Sequence, residues 1–162
     1  MDLKTDLSLA AASTIVDTAL ARGRDAGLLP LTVVVLDAGG HTVAMKREDG
    51  SGILRFDIAS GKAWGALGMG MSSRLIRDRL KDRPTFQAAL AAASGGRFVP
   101  VPGGVLIRNA DGAAIGAVGI SGDTSEKDEY CAIEGIRAAG LTADPEDPDP
   151  NWAETGLGPA TP

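Results

Sequence analysis

His41 is the sole histidine of the chain. It follows the Gly39-Gly40 turn and opens a strand, so its ring belongs near a sheet end. A lone imidazole there is a turn-edge or core side chain with one hydrogen bond, a general base, or a metal ligand. With Cys131 as the only thiol it cannot complete a structural zinc site, whereas a haem iron needs a single protein ligand. Lys62 interrupts a helix otherwise made of small and apolar residues. Its ammonium either snorkels to solvent or pairs with an anionic ligand or a carboxylate across a pocket. Arg47, at the end of the strand that His41 opens, can fork onto a carboxylate or pair with Glu48 or Asp49 on the surface. Asp128 and Glu129 fall in the first turns of the last helix. Carboxylates there complement the helix dipole, and one of them can also act as a base or hold a ligand. Gly103 and Gly104 let the backbone approach a ligand or another segment closely. Together, His41, Lys62 and Asp128 form the candidate catalytic set. Arg47, Gly103, Gly104 and Glu129 are the candidate ligand holders, and His41 is the candidate metal ligand.

These groups need elements to carry them. Thr5 or Asp6 caps a first helix running to Gly27, with Leu9, Ala12, Ile15, Val16, Ala19 and Leu20 on one apolar stripe. Leu31–Leu36 is an uncharged β-branched strand, buried on both sides or at a subunit contact. His41–Arg47 returns antiparallel to it. Ile53–Met71 is a helix rich in glycine. Each Gly in an exposed helix costs about 0.8–1.0 kcal/mol relative to Ala, so Gly61, Gly65 and Gly68 imply a neighbouring backbone close by. On that reading Lys62→Met leaves folding intact and weakens ligand binding. Two short helices follow, one capped by Ser72 or Ser73 and one opened by Pro84. Phe98–Pro102 is an extended lead-in. Val105–Arg108 and Ala113–Ile120 are strands around the Asn109-Ala110-Asp111-Gly112 turn. Ser125–Ala139 is the last helix, capped by Asp123 or Thr124. The expected order is α-β-β-α-α-α-β-β-β-α, with Phe98–Pro102 counted as one strand. Hairpins dominate, so the sheet is mainly antiparallel with helices on its faces.

Composition bounds what such a domain can do. The chain has 162 residues and a net charge of −5 with a pI near 4.8, which argues against a nucleic-acid surface; the basic run Arg74–Arg83 alternates with acids and apolar residues, as a solvated helix face does. Aromatic residues are only 4 %, so the core rests on Ala, Val, Leu and Ile. No stretch has the length of a membrane span, and the N-terminus reads as an amphipathic helix rather than a secretion signal. The expected setting is the cytoplasm, with no membrane partner. Residues 1–141 read as one domain, and residues 142–162, rich in Pro, Asp and Gly, as a C-terminal tail in which Trp152 is the residue able to dock.

Several of these pieces together resemble the GlcG/HbpS-like family, also called the haem-degrading-domain family, which includes the C-terminal domain of PduO. They are Val35-Leu-Asp37-Ala-Gly-Gly-His41, Arg47 with Asp49-Gly50, and Ile58-Ala-x-x-Lys62-Ala63. Pro100-x-x-Gly103-Gly104-Val105 and Ile115-Gly-Ala-Val-Gly-Ile-Ser121-Gly122, followed by Asp128-Glu129, complete the set. The resemblance spans roughly residues 5–141. It implies a profilin-like three-layer α/β/α sandwich around a five-stranded, mainly antiparallel sheet. It also implies a homo-oligomer, often an octamer, and a haem or tetrapyrrole ligand used in haem handling or redox sensing. The residues leave two other readings open. One is a cofactor-free isomerase, tautomerase or lyase on a small anionic metabolite, with His41, Arg47, Lys62 and Asp128 converging. The other is a non-catalytic assembly partner.

Overall fold

The computed structural model describes residues 5–158. Five strands and five α-helices build three layers. The strands are β1 (Thr32–Asp37), β2 (Thr42–Arg47), β3 (Gly104–Arg108), β4 (Ala114–Ser121) and β5 (Thr142–Asp144), and the helices are α1 (Leu9–Asp25), α2 (Arg55–Met69), α3 (Ser73–Leu80), α4 (Pro84–Ala93) and α5 (Ser125–Ala138). The sheet order is β2-β1-β4-β3-β5, and every neighbouring pair is antiparallel.

β1 is an interior strand, with β2 on one side and β4 on the other, which is why it carries no solvent-facing charge until Asp37. Its side chains alternate between two cores. Val33 and Val35 meet α1 and α5 through Ile15, Val16, Ile133 and Ile136. Val34 and Leu36 meet α2 through Ala59, Ala63 and Ala66. A third, smaller core of Ile76, Leu80 and Phe98 ties α3 and α4 to the α2 layer. The β1 apolar run is thus consumed within the chain.

Three expectations are corrected. The first helix starts later, at Leu9, because Ser8 rather than Thr5 or Asp6 caps it; the Ser8 hydroxyl accepts from Ala11 N at 3.1 Å. Phe98–Pro102 is not a strand: Pro100 and Pro102 carry no N–H for a ladder, and the segment crosses α2 instead. The fifth strand comes after α5, so the order ends β-β-α-β. Thr142 and Asp144 flank Ala143, which pairs with Ile107 on the open edge of β3, and Arg108 anchors the strand through Asp144 at 2.6 Å. Farther on, Trp152 stacks on Tyr130 of α5 with ring centroids 3.7 Å apart.

Gly61 and Gly65 are explained within the chain, whereas the neighbouring backbone expected at Gly68 is not there. A Cβ on Gly61 would lie 2.6 Å from Val99 Cγ2 and 2.8 Å from the Arg97 carbonyl. On Gly65 it would lie 3.1 Å from the Phe98 ring, whereas Gly68 meets nothing closer than Trp64 at 3.9 Å. Beneath the helix, Gly119 leaves room for the Ala59 carbonyl and Gly104 for that of Lys62. The helix backbone therefore rests directly on β3 and β4.

Candidate functional site

The β1–β2 turn is organised by one carboxylate. Asp37 Oδ1 accepts from Gly39 N at 2.8 Å and from His41 N at 3.0 Å, and lies 3.3 Å from His41 Nδ1. The His41 amide, then the Gly39 amide and the facing imidazole, hold the Asp37 carboxyl below its ordinary range against the opposing effect of burial. Gly40 closes the turn at φ 81°, a conformation that other residues adopt with strain. The His41 side chain is 82 % exposed. A carboxylate facing Nδ1 favours the proton on that nitrogen and leaves the Nε2 lone pair for a metal.

Gly40 and Thr42, on either side of His41, line a half-open cleft of about 490 Å³. Leu36, Phe56 and Trp64 supply its apolar wall, and Asp57, Ser60 and Arg97 its polar groups. Its far side is the 95–97 loop, which Gly61 allows to lie against α2. There the Arg97 guanidinium sits over the Trp64 ring, 4.2 Å from its centre. Trp64, Ser60 and Arg97 were not legible as site residues. They carry no motif, and only the crossing of the 97–99 segment over α2 joins them.

Lys62 and Asp128 lie elsewhere. Lys62 Nζ donates to Asp128 Oδ2 at 2.8 Å and to the Ile120 carbonyl at 2.9 Å, and both side chains are almost completely buried. Burial pushes the Asp128 carboxyl upward; the Lys62 ammonium pulls the other way. Gly103, at φ 110°, passes so close that a Cβ would be 2.9 Å from Lys62 Nζ. Gly104 is held by Ser73, whose hydroxyl accepts from Gly104 N at 2.7 Å. Lys62, Asp128, Gly103 and Gly104 thus come together, in a packed junction rather than a cavity wall.

His41 does not join them. Asp37 pairs with Gly116, while Lys62 reaches the carbonyl of Ile120, four residues along β4, or about 13 Å. Arg47 is at the far end of β2 from His41, where it donates to the Ser51 carbonyl at 3.0 Å. Glu129 is fully buried beside Arg74 Nε at 3.3 Å, with no hydrogen bond to either oxygen among the described residues. Burial pushes it up to about 7. Cys131 is also buried, its thiol pushed up to about 12, so it is inert as a nucleophile or ligand. Among the described residues no cluster of three or more His, Cys, Asp or Glu side chains is placed to enclose a metal ion. No helix there is long and apolar enough to cross a membrane.

The protein family described as haem degrading protein HbpS-like matches residues 7–137. A relative from Citrobacter freundii, described as an uncharacterized 15.0 kDa protein in the dhaT-dhaS intergenic region, is 32 % identical over 127 residues, covering 78 % of this chain and 87 % of the relative. Among solved structures, a PduOC:heme complex superposes with a TM-score of 0.75 at 26 % identity, covering 83 % of this chain and 96 % of that one. A double mutant of Streptomyces reticuli HbpS gives 0.71 at 26 % identity, covering 85 % and 89 %.

Proposed function

The chain belongs to the HbpS-like haem-degrading family, and from that premise we propose that it binds haem or a related tetrapyrrole in the cleft beside His41. One observation carries the reading: the β1–β2 turn that bears the exposed His41 imidazole, Nδ1 facing Asp37, also lends Gly40 and Thr42 to a cleft walled by Trp64 and Phe56. A haem complex of a structural neighbour supports it. The residues present fit the group. His41 would hold the iron through Nε2, with Asp37 facing Nδ1. Trp64, Phe56 and Leu36 give a flat apolar body somewhere to lie. When bound, haem supplies the redox and oxygen chemistry of its iron, which makes haem handling or redox sensing the physiological role.

Self-association is part of this reading, with an octamer as the expected form. Ile53 and Leu54, 88 % and 62 % exposed, lie just before α2, an apolar surface that a second copy would cover. The cytoplasm is the proposed setting; the one cysteine is a free thiol, as suits a reducing compartment.

Titration of the purified protein with hemin tests the proposal. A shifted Soret band is expected, and His41→Ala, which removes only an exposed side chain, should lose it while keeping the fold. No shift at micromolar hemin, or an unchanged spectrum in His41→Ala, overturns the reading.

A further inference from the structure

We propose that Arg97 is the carboxylate-binding residue of the cleft, and that its ligand is therefore a planar aromatic acid. The proposal rests on the cleft being the ligand site and names the chemistry that the site selects.

Arg97 donates from Nε to the Ser94 carbonyl at 3.1 Å, and its plane rests on Trp64. Both Nη groups are left without a hydrogen-bond or ion-pair partner among the described residues. The other arginines divide: Arg47, Arg55, Arg79 and Arg83 likewise reach no carboxylate among the described residues. The chain holds 21 acidic residues to 16 basic ones, and Arg24, Arg74, Arg77, Arg108 and Arg137 all reach carboxylates. A guanidinium fixed by one bond and one aromatic face, with its fork open, is preorganised for a bidentate carboxylate.

Ser60 also lines the cleft, but its Oγ is closed off from it and has no hydrogen-bond partner among the described residues. Asp57, also lining the cleft, favours a hydrogen-bond donor beside it. Gly95 and Gly96, at φ 62° and 81°, keep side chains out of the mouth. Trp64 and Phe56 then receive the flat apolar body. Tetrapyrrole acids fall within this class, and so do smaller fused-ring acids.

Two probe pairs separate the inference from the haem reading. Hemin is compared with hemin dimethyl ester by Soret absorbance, and pyrenecarboxylate with pyrenemethanol by fluorescence. Wild type should prefer the acid of each pair by about tenfold or more, the worth of one charge-assisted interaction. Arg97→Met keeps the stem on Trp64 and should bring each pair close to parity, with an unchanged unfolding midpoint; Arg97→Lys should restore part of the preference. Hemin and its ester bound equally through His41 would overturn the Arg97 proposal and leave haem binding standing. Discrimination of the pyrene pair through Arg97 without any hemin binding would uphold the proposal and overturn the haem reading. Failure of all four probes to bind overturns both.

Discussion

Lys62 and Asp128 meet at 2.8 Å with 2 % and 1 % of their side chains exposed, so the ion pair joins α2 to the start of α5 out of reach of solvent. Removing one partner of such a pair leaves an uncompensated buried charge, a loss of about 3–5 kcal/mol. Lys62→Met should therefore destabilise the fold by about that amount, opposite to the expectation from sequence. Lys62→Met with Asp128→Leu should recover much of it. Urea unfolding of the two variants checks this, and a neutral Lys62→Met would show that the junction is wet.

Glu129 gives the fold a pH dependence. Its carboxyl sits at about 7 in the folded chain, against 4.5 for the ordinary glutamate. A raised carboxyl binds its proton more tightly in the folded state. Stability is thus greatest below about 4.5 for this group and falls as pH rises to about 7. The shift amounts to roughly 3 kcal/mol at most. Glu129→Gln should flatten the difference in unfolding free energy between pH 5 and pH 8. An identical slope in wild type and Glu129→Gln would assign the dependence to other groups.

Gly65 and Gly68 should respond with opposite signs. Leucine at 65 runs into the Phe98 ring and should overpack it, at about 1–3 kcal/mol. Alanine at 68, which meets only Trp64 at van der Waals distance, should stabilise the helix by about 0.5–1 kcal/mol. Thermal unfolding of both variants is the measurement.

Asp37→Asn keeps an acceptor for the Gly39 and His41 amides but removes the charge beside Nδ1. If His41 ligates haem, hemin affinity should fall by about 10–100-fold with little change in stability. Unaltered affinity would mean that the carboxylate serves the turn alone.

Trp152→Ala removes the stack on Tyr130 and should loosen residues 145–158 from α5. Limited proteolysis should then cut this segment well before the rest of the domain, with a loss of about 0.5–1.5 kcal/mol beyond the area exposed. Equal resistance in both proteins would place the anchor elsewhere, at the Arg74 and Arg137 contacts to residues 146 and 147 or the Thr124–Thr155 hydroxyl contact.

The elements themselves were legible because their periodicity and punctuation are local. β1, α2, the Asn109–Gly112 hairpin and α5 each show in their own few residues. The fifth strand was not, since Thr142-Ala143-Asp144 has no strand signature and becomes one only because the β3 edge is open. Phe98–Pro102 was misread for the complementary reason: it is extended, but its two prolines cannot pair and α2 receives it instead.

The sequence by itself determined which residues could do chemistry and which backbones had to touch. His41 as the lone imidazole, Lys62 amid small residues and the glycines of α2, β3 and β4 all follow from side-chain type and size. Only the tertiary structure decided which of them share a site. Antiparallel pairing puts Asp37 opposite Gly116 and leaves Lys62 four residues farther along β4, so His41 and Lys62 fall at different ends of one sheet. Arg97 reaches Trp64 only because Gly61 lets an unpaired segment cross a helix. Contacts of that kind depend on register and on long-range packing, which no local run of residues encodes.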